Sequence, residues 1–131
     1  IRLLDPKGRR ATPRVHFLPL AQKGAAIVSE LAQAKKDKPD SKLFGASERA
    51  AGDRVSEINA KLNIPSFDLR DIRRTCETML AGLGVTKDIR AQLLSHGISG
   101  VQDAHYDRYD YLEEKRNALL MWEQRIKEIM T

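Results

Sequence analysis

Apolar residues recur at helical spacing along most of the chain. Two runs, residues 19–36 and 48–62, have an apolar position every three or four residues, and Ser47 precedes the second as an N-cap. A third stripe, between residues 69 and 83, is the clearest and is expected to be core. It comprises Ile72, Cys76, Met79, Leu80 and Leu83.

Local end signals define the remaining helices. Gly84 is placed to end the third helix. Thr86 is placed to cap a short helix that closes at Gly97, and a last helix is predicted from Tyr111 to Met130. Its apolar positions are Leu112, Leu119, Trp122, Ile126 and Ile129.

The first twenty residues follow a strand pattern instead. "IRLL" and "RVHFLPL" flank "DPKGRR", where Pro and Gly allow the chain to reverse, so a β-hairpin is predicted. Since a lone hairpin is marginal in water and Ile1 is not an initiator residue, we expect an N-terminal portion to precede it. The predicted fold is mainly α (α+β), a helical bundle with a small N-terminal β-hairpin. Its parts are the hairpin (1–20), a helical core (21–110) and a C-terminal helix (111–131).

Composition fits one soluble domain. The chain has 131 residues, of which 41% are apolar and 31% charged, and no apolar run approaches the ~18 residues that span a bilayer. The single cysteine, Cys76, excludes a disulfide framework within the chain. We therefore expect a reducing, cytoplasmic setting without a membrane partner.

Positive charge is concentrated at the front of the chain. The net charge is +5, and residues 1–20 have five cations against Asp5, a balance of +4. Such a local basic element suits a polyanion such as nucleic acid. A basic surface that serves only solubility is the alternative.

Arginines are clustered on the third helix. "LRDIRRTCETML" places Arg70 and Arg73 one turn apart on the same face, with Arg74 beside them. Ion pairing with Asp71 and Glu77 is one explanation. The other is phosphate binding, because two guanidinium forks on one turn match the oxygens of a phosphodiester.

Histidine and tyrosine side chains follow in the next segment. His96 lies at the end of the short helix, where its positive form would suit the helix dipole. Tyr106, Tyr109 and Tyr111 come within six residues of one another. A phenol needs a base or a cationic pocket to act as a nucleophile, and buried packing is the alternative for each tyrosine.

The spacing of these residues resembles the C-terminal half of the catalytic domain of tyrosine recombinases, the phage integrase family. The family's His-x-x-Arg followed by Arg-Thr falls on residues 70–75, its Leu-Gly-His on residues 94–96, and its nucleophile on Tyr106. Its lysine in a β-turn falls on Lys7, ahead of a His-x-x-Pro-Leu strand at residues 16–20. The resemblance spans nearly the whole chain and implies the catalytic-core fold of that family.

Three departures accompany the resemblance. Arg70 replaces the first histidine, which keeps a cationic donor but removes a proton acceptor. Ser95 replaces the family's glycine. The family's first catalytic arginine lies upstream of the hairpin, so the resemblance implies an incomplete active site in this sequence.

The resemblance implies site-specific cleavage and rejoining of double-stranded DNA through a 3′-phosphotyrosyl intermediate. Tyr106 would be the nucleophile, Arg73 the main phosphate clamp, and Lys7 the general acid on the leaving oxygen. His96 and Arg70 would donate beside Arg73. The predicted backbone contacts are Arg9, Arg10 and Arg14. Neither a metal nor another cofactor is implied.

Several alternatives stay open. Tyr109 and Tyr111 are rival nucleophiles, and His105 is expected to be a neighbour of Tyr106. The resemblance also implies a homo-oligomer on bacterial, nucleoid-associated DNA of a mobile element, and the C-terminal helix would pack on its own domain or on a neighbour. A non-catalytic DNA-binding module of the same fold and a type IB topoisomerase are the other candidate functions.

Overall fold

The computed structural model describes residues 1–5, 13–38, 41–44, 47–62, 64–95 and 109–131. Within these ranges 65% of residues are helical, in five helices, and the strands form one two-stranded antiparallel hairpin. The prediction of a mainly helical chain with a small hairpin is therefore confirmed. In this part of the chain, no helix is long and apolar enough to cross a bilayer.

The hairpin joins strand β1 (Arg2–Asp5) to strand β2 (Arg14–Phe17). Their antiparallel register pairs Arg2 with Phe17 and Asp5 with Arg14. Side chains alternate along β2, so that His16 is buried, only 6% exposed, while its neighbour Phe17 is 44% exposed. The predicted turn, which includes Lys7, lies outside the described residues.

The helices begin and end close to their predicted limits, except that the fourth ends at Leu94 with Ser95 as its C-cap, so its predicted end at Gly97 is wrong. In chain order they are α1 (Gln22–Ala34), α2 (Glu48–Leu62), α3 (Leu69–Gly82), α4 (Lys87–Leu94) and α5 (Leu112–Met130). The structure divides into two compact units. The first comprises Ile1–Lys23 with Met79–Thr131, and the second comprises Gly24–Thr78. The predicted organisation as one partial catalytic domain stays a prediction.

The first unit has a small apolar core. Leu80 is fully buried, Ala118 is 2% exposed, and Leu93 is 7% exposed. Helix α4 packs against α5. The core therefore lies where the end of α3, α4 and the middle of α5 supply their apolar residues.

A tight turn joins α3 to α4. The Val85 amide donates to the Leu80 carbonyl (3.0 Å), and the Gly84 amide donates to the Ala81 carbonyl (3.0 Å), which are the two bonds of a Schellman motif. Gly84 has a φ of +83°, which glycine adopts without strain. Thr86 Oγ1 then accepts from the Ile89 amide (3.5 Å), as the sequence predicted for an N-cap.

The second unit contains α2 and most of α3. Ser47 Oγ accepts from the Ala50 amide (3.2 Å), which confirms the predicted cap of α2. Asn59 holds the connection to α3 by two bonds to Phe67, with Nδ2 donating to its carbonyl (2.7 Å) and Oδ1 accepting from its amide (3.3 Å). Ile72 is 50% exposed, so the prediction that the whole α3 stripe is core is wrong at that position.

Candidate functional site

Three of the predicted catalytic and DNA-binding residues are among those that the structure describes. Arg14 lies in the first unit, and Arg70 and Arg73 lie in the second. The others, namely Lys7, Arg9, Arg10, His96, His105 and Tyr106, lie outside the described residues. Their predicted roles stay predictions.

Helix α3 begins at a reciprocal cap. Asp68 Oδ1 accepts from the amides of Arg70 (2.7 Å) and Asp71 (2.9 Å). In return, Asp71 Oδ2 accepts from the Asp68 amide (3.0 Å), which completes a capping box. These bonds satisfy three amide donors that a helix start leaves unpaired, and they fix the first turn on which Arg70 stands.

Exposed ion pairs accompany the arginines of α3. Arg70 Nε lies 3.4 Å from Asp68 Oδ2, and Arg74 donates to Asp71 Oδ1 at 3.0 Å. The Arg70 side chain is 81% exposed, and a pair in that setting contributes at most about 1 kcal/mol. The ion pairing with Asp71 that the sequence suggested is thus present at Arg74, whereas Arg70 pairs with Asp68 instead. The Arg70 pair is weak enough for a phosphate to compete with Asp68.

Arg73 is exposed and lies within electrostatic reach of Cys76. Burial raises the pKa of the Cys76 thiol, while the positive charge of Arg73 opposes that rise and Glu77 adds to it. A raised pKa keeps this half-buried thiol protonated. Cys76 is therefore suited to packing rather than to nucleophilic chemistry.

Arg14 connects the hairpin to the end of α4. Its Nη2 donates to Ser95 Oγ at 2.8 Å, across 81 positions of sequence. Ser95 is the residue immediately before His96. Strand β2 is thereby bonded to the residue that precedes the segment containing His96 and Tyr106.

Ser95 has a backbone conformation that favours glycine. It is the C-cap of α4 with φ 52° and ψ 45°, and its amide donates to the Ala91 carbonyl. A non-glycine residue with positive φ is uncommon. Glycine would adopt this conformation without strain, and in this chain the serine hydroxyl serves as an acceptor for Arg14 instead.

Lys115 is a buried cation that the sequence analysis did not identify. Its side chain is on α5, the residue is 3% exposed, and Nζ donates to the Phe17 carbonyl at 3.0 Å. Burial lowers the pKa of Lys115; the charge of Asp110 opposes the change, and that of Arg14 adds to it. Lys115 thus joins the start of α5 to the end of β2.

Glu123, also on α5, was missed in the same way. It is 6% exposed and accepts from the amides of Gln22 (3.1 Å) and Lys23 (2.6 Å). These are the first amides of α1, where a carboxylate is favoured by the helix dipole. Glu123 therefore caps a helix about 100 residues earlier in the chain.

The sequence does contain a sign that both residues are buried, namely their position relative to the apolar stripe of α5. Lys115 is four residues before Leu119 and seven before Trp122, and Glu123 is three residues before Ile126. Both charged residues thus stand on the apolar stripe of α5 rather than opposite it. A charge in phase with a stripe is the pattern that indicates a buried polar contact.

Two tyrosines lie at the start of α5. The Tyr109 hydroxyl donates to Glu114, and the rings of Tyr109 and Tyr111 meet edge to face at 4.8 Å and 72°. Tyr111 is the N-cap residue with φ 54°, and Asp110 Oδ1 accepts from the Leu112 amide (3.2 Å). Both tyrosines that rival Tyr106 as nucleophile therefore make structural contacts at the start of α5.

Known proteins give no assignment of this site. No family model, no curated protein and no solved structure matches the chain. Among the residues that the structure describes, no group of three or more His, Cys, Asp or Glu side chains is arranged to hold a metal ion.

Proposed function

We propose that the chain is part of the catalytic domain of a tyrosine recombinase of the phage integrase type, with the helical-bundle core of that family. The observation that carries this proposal is the order and spacing of Lys7, Arg73, His96 and Tyr106 along the sequence. The hairpin followed by helices supports it, as does the bond from Arg14 of the hairpin to the residue before His96.

The substrate is double-stranded DNA. Tyr106 Oη attacks the scissile phosphorus while the bond to the 5′-oxygen breaks, which gives a 3′-phosphotyrosyl link and a free 5′-hydroxyl. The phenol gives its proton to solvent water as the bond forms, and the ammonium group of Lys7 protonates the leaving oxygen. The 5′-hydroxyl of another strand later reverses the step. The phosphoester energy is retained, so the exchange requires no nucleotide hydrolysis.

Cations stabilise the charge that develops on the non-bridging oxygens. Arg73 is the main clamp, and Arg70 and His96 donate beside it. Arg70 is exposed, and its pairing with Asp68 is weak, so its guanidinium is available to a phosphate. Its replacement of the family's histidine keeps a donor at this position.

Binding precedes this chemistry and depends on the basic front of the chain. Arg9 and Arg10 contact the DNA backbone without reading sequence, so affinity falls as salt rises. The protein acts as a homo-oligomer on nucleoid DNA, since two strands must be brought together before they are exchanged.

Trapping the covalent intermediate tests the proposal. The chain, together with any sequence that precedes it in its gene, is incubated with a nicked duplex whose cleaved fragment diffuses away. We expect a protein–DNA adduct that survives a denaturing gel and disappears in Tyr106→Phe but not in Tyr109→Phe. An adduct that persists in Tyr106→Phe and is lost in Tyr109→Phe would reassign the nucleophile.

The same assay separates the other two functions. Retardation of DNA in a native gel, with no adduct from any form of the protein, would favour the non-catalytic binding module. Relaxation of supercoiled DNA through an adduct, with no exchange of strands, would favour the type IB topoisomerase.

Lys7 has its own test. Lys7→Ala should slow cleavage of an ordinary duplex and spare a duplex whose 5′-bridging oxygen is replaced by sulfur, because a thiolate leaves without a proton. Equal losses on both substrates would refute the general-acid role.

A further inference from the structure

Strand β2 holds both flanks of the segment that contains His96 and Tyr106. At one end of the strand, Arg14 Nη2 donates to Ser95 Oγ at 2.8 Å. At the other end, the Phe17 carbonyl accepts from Lys115 Nζ at 3.0 Å. Ser95 directly precedes His96, and Lys115 lies in the first turns of the helix that follows the tyrosines.

The two contacts differ from surface ion pairs. Lys115 is 3% exposed, and its ammonium group gains a carbonyl acceptor in place of water. Removing one partner of such a buried bond leaves the other unsatisfied, which costs more than the bond itself contributes. The contact therefore defines where α5 begins relative to β2.

The Arg14 contact has a similar geometric effect. Arg14 is half-buried, and its acceptor is a serine held by the end of α4 in a left-handed conformation. A planar donor at 2.8 Å fixes direction as well as distance. Arg14 and Lys115 are also near enough for the charge of Arg14 to affect the pKa of the lysine.

We propose that Arg14 and Lys115 are positioning residues, which hold Ser95 and the start of α5 on β2, and that cleavage by the segment between these two points depends on both contacts. This inference rests on the proposed recombinase function. It assigns to Arg14 a structural acceptor instead of a DNA phosphate, and it gives a buried lysine a part in strand cleavage without contact to substrate.

A positioning role predicts a specific kinetic pattern. Lys115→Met removes the donor at similar length, and we expect the rate of adduct formation at saturating DNA to fall about tenfold, because small misplacements of reacting groups are costly. The DNA concentration that gives half of this rate should stay within about twofold, since a side chain with 3% exposure cannot reach a phosphate. Lys127→Met, an exposed lysine on the same helix, is the matched control and should change neither value.

A double-mutant cycle tests the other contact. Arg14→Gln and Ser95→Ala should each lower the saturating rate, and the double variant should lose no more than the worse single variant, because both remove one bond. A rise in the half-saturating DNA concentration of Arg14→Gln with an unchanged saturating rate would overturn the inference. Should Lys115→Met fail to fold, this cycle decides the question alone.

Hydrogen exchange separates failure of this inference from failure of the proposed function, because it needs no adduct. Arg14→Gln should speed exchange of the Ser95 amide, which donates to Ala91, and Lys115→Met should speed exchange of the Lys115 amide, which donates to Tyr111 at 2.9 Å. Unchanged exchange at both amides would overturn the positioning role whether or not the protein cleaves DNA.

Discussion

The Tyr109 hydroxyl donates to the carboxylate of Glu114, 3.0 Å from Oε1 and 3.2 Å from Oε2. This bond and the charge of Glu114 raise the pKa of Tyr109, and the charges of Asp110 and Glu113 add to the effect. A phenol that acts as a nucleophile must give up its proton. The raised pKa keeps Tyr109 protonated, whereas a nucleophilic tyrosine requires a lowered pKa or a base.

We predict that Tyr109 ionises above the ordinary tyrosine value of about 10. Ultraviolet titration of the phenolate, taken as the difference between the protein and Tyr109→Phe, measures it. Glu114→Gln should move this transition back toward the ordinary value, because the negative acceptor is gone. Since the raised pKa belongs to the folded state, the linked stability is present below about pH 10 and is lost as pH rises through the folded pKa. A Tyr109 transition unaffected by Glu114→Gln would contradict the assigned cause.

Three helix ends in the described part of the chain were predictable because their causes are local. Ser47, Gly84 and Thr86 each act within five residues of their own position, and all three have the predicted role. The apolar stripe of α3 was less informative, since periodicity gives the direction of a face but not its width. Ile72 lies on that face and is half exposed, whereas Leu80 is fully buried.

Gly82, at the end of α3, and Gly84, in the turn that follows, provide a matched pair of substitutions that tests the Schellman motif. A Cβ added at Gly82 or at Gly84 would meet no atom within 4 Å, so substitution tests the backbone alone. Gly84→Ala should destabilise the protein by about 1 kcal/mol, because alanine is strained at a φ of +83°. Gly82→Ala, in the helix itself, should stabilise by up to about 1 kcal/mol. Urea unfolding measures both, and similar effects of the same sign would refute the motif's role.

The cap of α3 has a predictable acid limit. Hydrogen bonds from the backbone, that of Asp71 above all, hold the pKa of Asp68 below its ordinary value of 3.8. A lowered folded pKa means that the cap's contribution is present above this value and is lost as pH falls through the folded pKa. An NMR titration of the Asp68 carboxyl should give a midpoint below 3.8, and Asp68→Ala should fray the first turn already at neutral pH. A midpoint at or above 3.8 would contradict the cap.

Glu123 should be among the most sensitive positions of α5. Glu123→Ala leaves the amides of Gln22 and Lys23 without their acceptor and should lower the free energy of unfolding by about 2 kcal/mol. Glu123→Gln keeps an acceptor but no charge and should cost about 1 kcal/mol. Glu128→Gln, which alters an exposed pair with Arg125, should cost less than about 0.5 kcal/mol. Chemical unfolding of the three variants provides the measurement. If Glu123→Ala lowered the free energy of unfolding no more than the Glu128→Gln control does, the interaction would be refuted.

The candidate site was predictable only in part, for a physical reason. Sequence spacing indicated Arg73, His96 and Tyr106, because a motif is a pattern along the chain, and their roles stay predictions. Lys115 and Glu123 take their roles from partners about 100 positions away, and a charged residue on a helix is ordinarily solvated. Contacts of that range are absent from any local pattern, although the phase of both residues with the apolar stripe of α5 was visible.

The partners of Lys115 and Glu123 have a consequence for biosynthesis. Separations of 98 to 101 residues mean that β2 and the start of α1 are made long before α5 exists. At translation rates of about 5–20 residues per second, the Phe17 carbonyl and the first amides of α1 wait some seconds for their partners. Until α5 emerges from the ribosome, the hairpin lacks the contact that Lys115 makes with it, and this is the interval in which a chaperone would protect the nascent chain.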